Sequence, residues 1–350
     1  VIFDASGSSA DASERQLPDA RAARTLIRTR AGDFADDTEA AIARLCARLP
    51  DARRAAAFAN AIWLGIGRIG LRHGRFGGDF HAYHNEEHAF EILDRRVPRL
   101  IEVAGDDELD DEAWPTLGLF AACHDLRQRE PMDSASRVGR NELASIAESF
   151  RILDASGFDR GRDRGLYLAL ELMIAGSTFD ATPTARSPAD AAAVAGPLAP
   201  HLAPILDRLA PGWRDDPDMV RAYALAQVAS DLDTANVGED FAHFCASGAR
   251  LCIEREMRQG RHLDDPDSFQ PVLGFLTRGQ EFYFFELHRF CDPLGERAFA
   301  GGKEANAPRL RQLVAYLQSR FADAGRNQTG RMVLEAHLQA AGAEGLVRAA

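Results

Sequence analysis

The sequence has almost no lysine. Of its 41 basic residues only Lys303 is one, in GGKEAN, and the other 40 are arginine. That excludes a GxxxxGK[ST] phosphate loop and disfavours Schiff-base catalysis, which would rest on this single amine. Cysteine is sparse too. Cys46, Cys123, Cys245, Cys252 and Cys291 are odd in number and form no CxxC pair, so they read as small buried apolar residues rather than as a disulfide framework or a zinc knuckle. No apolar run approaches the roughly 18 to 20 residues of a membrane helix. The opening VIFDASGSSADASERQ has no basic segment followed by an apolar core, so a soluble, cytoplasmic chain is expected. Excess positive charge is also missing. With 41 basic against 53 acidic residues the net charge is −12, which argues against a nucleic acid polymer or an anionic membrane as partner.

What the chain has in quantity is helical periodicity. Apolar residues recur at three- and four-residue spacing in TEAAIARLCARL, RRAAAFANAIWLGI, EEHAFEILDRRV, AWPTLGLFAACHDL, NELASIAESFRIL, GLYLALELMIAG, MVRAYALAQVASDL and APRLRQLVAYLQSRF, while strand-like alternation is scarce. The fold class expected is all-α, with a core drawn from the 46% of residues that are hydrophobic. Gly, Pro and Asp in RHGRFGGDFHAY, GFDRGRDRG and RQGRHLDDPDSFQP punctuate the helices. Residues 1–37, rich in Ala, Ser, Asp and Arg, read as a flexible arm or peripheral helix, and residues 38–350 as one helical domain. The Ala/Pro-rich stretch 181–200 reads as a long surface loop inside that domain, with an interdomain linker as the alternative. Gly65, Gly67 and Gly70 spell GxGxxG, but a dinucleotide fingerprint needs a strand before it, and RRAAAFANAIW is helical. Close helix packing accounts for these glycines better.

Histidine carries the chemical signal. Four of the ten histidines, His81, His84, His88 and His124, crowd into about 45 residues. His84 and His88 in YHNEEH are four apart, a spacing that on a helix places both on one face. His124 and Asp125 end the apolar segment LGLFAACHDL, at the edge of a core where a carboxylate needs a cation or hydrogen bonds to offset its burial. A divalent metal or an arginine would serve. AYALAQVASDLDTANVG repeats the device, an apolar helix running into Asp231 and then Asp233; a plain helix end is the alternative. In FLTRGQEFYFFELHRF an aromatic stripe with Gln280 reads as core, or as a wall for a nucleotide base.

YHNxxH, then HD closing an apolar helix, then an acidic DL after another, resembles the HD-domain metal-dependent phosphohydrolase superfamily over roughly residues 80–290. The resemblance implies an HD/phosphodiesterase-like helical bundle. It implies a divalent metal, Mn, Mg, Fe, Co or Ni, on His88, His124, Asp125 and Asp231. His84 matches the histidine that protonates the leaving oxygen in the phosphodiesterase-like branch. RNELAS resembles the NExxSA element, which puts Asn141 and Glu142 near the water, so His84, Asp125 and Glu142 are the catalytic candidates. Arg127, Arg129, Arg137 and Arg140 are the nearest cations for phosphate. No histidine follows His124 until His201, so a two-metal site lacks ligands. The function expected is hydrolysis of a small phosphoester, a nucleotide or cyclic nucleotide; the alternative is a catalytically inactive HD-like module that binds a metal or nucleotide.

Overall fold

Helices start where an acidic or hydroxyl side chain can accept from the free amides of a first turn. Asp11 opens α1 (Ala12–Gln16), Asp19 α2 (Ala20–Arg30) and Asp51 α4 (Ala52–Arg72), with α3 (Gly32–Cys46) between the last two. The chain continues through α5 (Glu86–Glu91), α6 (Val97–Val103), α7 (Ala113–Cys123), α8 (Arg140–Ala155), α9 (Arg164–Gly176), α10 (Leu202–Leu209) and α11 (Pro217–Thr234). It ends with α12 (Phe241–Arg258), α13 (Phe269–Gly274), α14 (Pro293–Arg320) and α15 (Gly330–Ala341). The computed structural model describes all residues except 5–7, 106–107, 129, 131–136, 181–195, 324–326 and 348–350. The only strands among the described residues are Phe179–Asp180 and Gly196–Pro197, paired antiparallel with Phe179 opposite Pro197. The all-α expectation therefore holds. No described helix is long and apolar enough to cross a membrane. Most of the expected surface loop at 181–200 lies outside the described residues.

Where the sequence reads as one domain after residue 37, the structure divides into two compact units. The first comprises Val1–Phe80, His84–Asp233 and Cys291–Leu294; the second comprises His81–Tyr83, Thr234–Phe290 and Gly295–Ala350.

In the first unit α7 is buried at every position, and α3, α4, α5 and α9 pack around it. Glycines permit the closest approaches. A Cβ on Gly65 would stand 2.8 Å from the Ala122 carbonyl oxygen of α7, and one on Gly67 would stand 2.6 Å from the Ala23 Cβ of α2. The GxGxxG string is thus a helix-packing face. Of the arm or peripheral helix expected at 1–37, the described part is mostly helical, and α2 lies along α4 with Ala23 and Ile27 sealed from solvent. The apolar period there, Leu17, Ala20, Ala23 and Ile27, is diluted by arginine and aspartate, which is why composition left an arm and a peripheral helix both open. A buried charge network pins the same region. Arg72 pairs with Asp11 at 2.7 Å and Glu148 at 3.0 Å, and Arg68 and Arg151 reach Glu14.

In the second unit α12, α13 and α15 enclose Phe244, Val272, Leu276, Phe284 and Val333. The expected aromatic stripe includes two π turns, Phe275–Gly279 and Phe282–Leu287; Phe284 is core, and Gln280 packs on Gly248. Nothing here gives Gln280 a ligand-facing role.

Candidate metal centre

The side chain of Asn85 accepts from the amides of Glu87, at 2.9 Å, and His88, and so starts α5 at Glu86. His88 therefore belongs to the helix, while His84 stays in the turn before it. The one-face pairing expected for His84 and His88 is corrected by this cap. After α5 the chain widens into a π turn, Ile92–Arg96, a form often found beside functional sites. It carries Arg96, which is buried and donates to the carbonyls of Leu232, at 2.9 Å, and Asp233, at 2.7 Å. The last turn of α11 is thereby tied to the segment that follows His88.

His124 is the residue after α7. Its Nδ1 lies 3.2 Å from the carbonyl oxygens of both Phe120 and Ala121, acceptors that place the ring proton there and leave the Nε2 lone pair pointing outward. The ring stacks on Phe120 with centroids 4.8 Å apart.

Four donor atoms converge. His124 Nε2 is 3.0 Å from Asp125 Oδ2 and 3.4 Å from Asp233 Oδ1; His88 Nε2 is 3.2 Å from Asp233 Oδ1 and 3.8 Å from Asp125 Oδ2. His88, His124 and Asp125 form a grouping able to hold a metal ion. The fourth member is a correction: Asp233 faces the histidines, and Asp231 does not take that place. Asp231 is buried with Oδ1 accepting from the Cys291 amide at 2.7 Å and Oδ2 from the Asp292 amide at 2.9 Å, so it anchors the chain just before α14.

A divalent cation fits this set. Bonds of about 2.1 Å to each ligand place neighbouring donors about 3.0–3.4 Å apart in octahedral or tetrahedral arrangements, which is close to the spacing observed. His124 Nε2 is sealed from solvent, yet its contact with Asp125 lacks hydrogen-bond geometry and it has no hydrogen-bonded partner among the described residues. The charges agree as well. Burial holds the His88 imidazole below its usual range, more than Asp233 raises it. Burial also opposes a charge on His124, but the Asp125 and Asp233 carboxylates overcome it and lift its pKa well above normal. Burial acts against the Asp125 charge, yet His124, His84 and His88 bring its pKa down to about 2. Two carboxylates against one imidazolium leave the cluster net negative, and a dication with neutral imidazoles balances it.

Exposure gives the site a mouth. His88 and His124 are 1% and 2% exposed, whereas Asp125 and Asp233 are 13% and 22% exposed, so the carboxylates line the open side. Behind them a polar chain holds Asp125. Gln128 Nε2 donates to Asp125 Oδ1 at 3.1 Å, and Asn141 Nδ2 donates to Gln128 Oε1 at 3.1 Å. Asn141 Oδ1 in turn accepts from the Glu130 amide at 3.0 Å. Asn141, expected near the water, thus acts through Gln128, which the sequence reading left out.

Glu142 sits in the first turn of α8, and its carboxylate curls back over Gly139, where a Cβ would meet Oε2 at 2.0 Å. Burial and the Asp125 charge push the Glu142 pKa up, with His84 and His124 opposing. His84, partly buried, is near enough to influence both Glu142 and Asp125. The three catalytic candidates thus influence one another electrostatically. Of the expected arginines, Arg127 pairs with Glu130 at 2.7 Å, the charge of Arg137 is felt at His201, and Arg129 lies outside the described residues.

Comparison with protein-family models, with curated proteins and with solved structures returns no match for this chain.

Proposed function

We propose that the first unit is an HD-type helical fold and that the chain is a metal-dependent phosphohydrolase acting on a small phosphoester, with a nucleotide as the leading candidate. The observation that carries this reading is the convergence of His88, His124, Asp125 and Asp233 at 3.0–3.8 Å around His124 Nε2 and His88 Nε2. These four side chains would hold the cation. A bound Mn, Fe, Co, Ni or Mg ion supplies Lewis acidity toward a phosphoryl oxygen and lowers the proton affinity of water beside it.

The protein's own groups divide the remaining work. Glu142, whose carboxyl is held more basic than usual, takes a proton as water attacks phosphorus. Gln128 fixes Asp125 so that one oxygen faces the histidines while the other is occupied. His84 stands before the helix rather than among the ligands and gives its proton to the ester oxygen as the P–O bond breaks. The narrow set of two histidines favours one ion per chain.

The test is elemental analysis of protein purified without chelator, followed by phosphate release from a panel of nucleotides and simple phosphoesters with Mn or Mg added. One ion per chain and turnover that His84→Ala lowers by about 10²-fold or more, with metal content unchanged, is the expected result. Absence of bound metal would overturn the reading. The second reading, an HD-like module that binds a metal or nucleotide without turnover, is favoured by the engagement of Arg127 with Glu130, which ties up one of the arginines nearest the His-Asp pair in sequence. Full metal occupancy with no ester cleaved would select it.

A further inference from the structure

The first unit also holds a cavity that the metal centre does not use. It lies among α8, α9 and the connection from α10 into α11, has a volume of about 300 Å³, and is lined by Phe150, Tyr167, Trp213, Met219 and Glu171. That is the small end of the range of ligand pockets. Glu171 stands in α9 between the buried Leu170 and Leu172, and its side chain is 1% exposed. Its Oε1 accepts from the amides of Ile2, at 2.6 Å, and Phe3, at 2.7 Å. Its Oε2 is buried with no hydrogen-bonded partner among the described residues; the Val1 α-amine, at 4.0 Å, is too far to donate. Burial pushes the Glu171 pKa up, and the two amides oppose it. A buried carboxylate oxygen without a donor is costly, and a ligand that brings one recovers that cost.

The walls suit a cation. The Phe150 and Tyr167 rings pack with centroids 5.3 Å apart, and the Arg160 guanidinium already lies 5.7 and 5.8 Å from them. Aromatic faces attract positive charge, and more strongly away from water. Arg160 and Arg164 also line the cavity, yet aspartates neutralise both. Arg160 pairs with Asp154 at 2.6 Å, and Arg164 with Asp216 at 2.6 Å and Asp218 at 2.9 Å. A cation is therefore not turned away, and an anion finds no uncompensated partner. The side chains of Arg160 and Arg164 are 56% and 49% exposed, so they mark the mouth and Glu171 the inner end.

We propose that this cavity binds a small primary ammonium carried on an aromatic ring. The ammonium donates to Glu171 Oε2 at the inner end, where Val1, which lines the cavity and is mostly exposed, gives way to it. The ring lies against Tyr167, Trp213 and Met219, which supply apolar contact and aromatic faces. Binding makes and breaks no covalent bond. No residue lining the cavity belongs to the grouping of His88, His124 and Asp125.

The experiment is calorimetric titration of the full chain with benzylamine, with benzyl alcohol as the uncharged ring and methylamine as the cation without a ring. Near neutral pH, benzylamine should bind at one site per chain at least about tenfold more tightly than either comparison. Glu171→Gln keeps an oxygen for the Ile2 and Phe3 amides but loses the charge. It should weaken benzylamine binding by about tenfold or more and leave benzyl alcohol where it was. Met219→Trp fills the cavity while sparing Glu171 and should abolish benzylamine binding; circular dichroism checks that each variant is folded. Should Glu171→Gln fail to fold, Met219→Trp and the two comparison probes decide. No saturable binding of benzylamine, or binding that survives Met219→Trp, would overturn the site. Benzyl alcohol binding as tightly would overturn the role of Glu171, and methylamine binding as tightly would overturn that of the rings.

Discussion

On a helix, residues two apart point about 200° away from each other, so Asp231 and Asp233 cannot serve one site. Asp233→Ala should abolish metal retention and leave the melting temperature of metal-free protein within a few degrees of the parent. Asp231→Ala strands the amides of Cys291 and Asp292 and should cost about 1–3 kcal/mol of stability while metal content stays at the parent level. Elemental analysis and chemical denaturation of the two variants read both outcomes, and the reverse pattern would restore Asp231 as the ligand. Gln128 is the next residue to test. It touches no donor facing the cation, yet it fixes the Asp125 carboxylate, so Gln128→Ala should weaken metal affinity about 10- to 100-fold in a competition titration with a chelating dye.

At the scale of elements, Gly65 and Gly139 are positions where one methyl group decides a geometry. Gly65→Val drives a side chain into Ala122, two residues before His124. It should destabilise the fold by about 1–3 kcal/mol in urea denaturation and lower metal affinity together with it. Gly139→Ala is different, because the backbone there, at φ −63°, accepts alanine while the Glu142 carboxylate does not. If Glu142 handles the proton of water, that variant should lose about tenfold or more in turnover with metal content unchanged. The elements themselves were legible, since three- and four-residue apolar spacing marks buried helices wherever one face is polar. Phase was not. Leu225 through Leu232 are all buried, so this part of α11 has no polar face to show which aspartate points at the histidines. The start of α5 was obscured for another reason: Asn85 caps the helix one residue after His84, and spacing alone does not locate a cap.

At the scale of the whole molecule the division into two units was not legible at Asp233 and Thr234, because both residues belong to the single helix α11. The two units also hold histidine differently. In the first, carboxylates surround the imidazoles. In the second, His337 on α15 is buried with Nε2 at 3.3 Å from the Cys245 carbonyl oxygen, and burial, barely offset by that bond, lowers its pKa to about 4. Folded, it stays neutral; unfolded, it takes a proton near pH 6.5. Between those values the unfolded chain binds more protons, so this contribution to stability is intact above pH 6.5. It is lost as the pH falls toward 4 and amounts to on the order of 3 kcal/mol in all. Trp63, Trp114 and Trp213 all lie in the first unit, so their fluorescence follows that unit, whereas far-ultraviolet circular dichroism counts the helices of both. Urea unfolding at pH 5 should therefore show the dichroism transition moving to lower denaturant relative to pH 7 by more than the fluorescence transition does. His337→Leu removes one of the two buried histidines that titrate in this way in the second unit, His288 being the other with its pKa lowered to about 3, and should roughly halve that extra movement. Equal displacement of both signals, or an undiminished one in His337→Leu, would mean that the acid sensitivity of the second unit arises elsewhere.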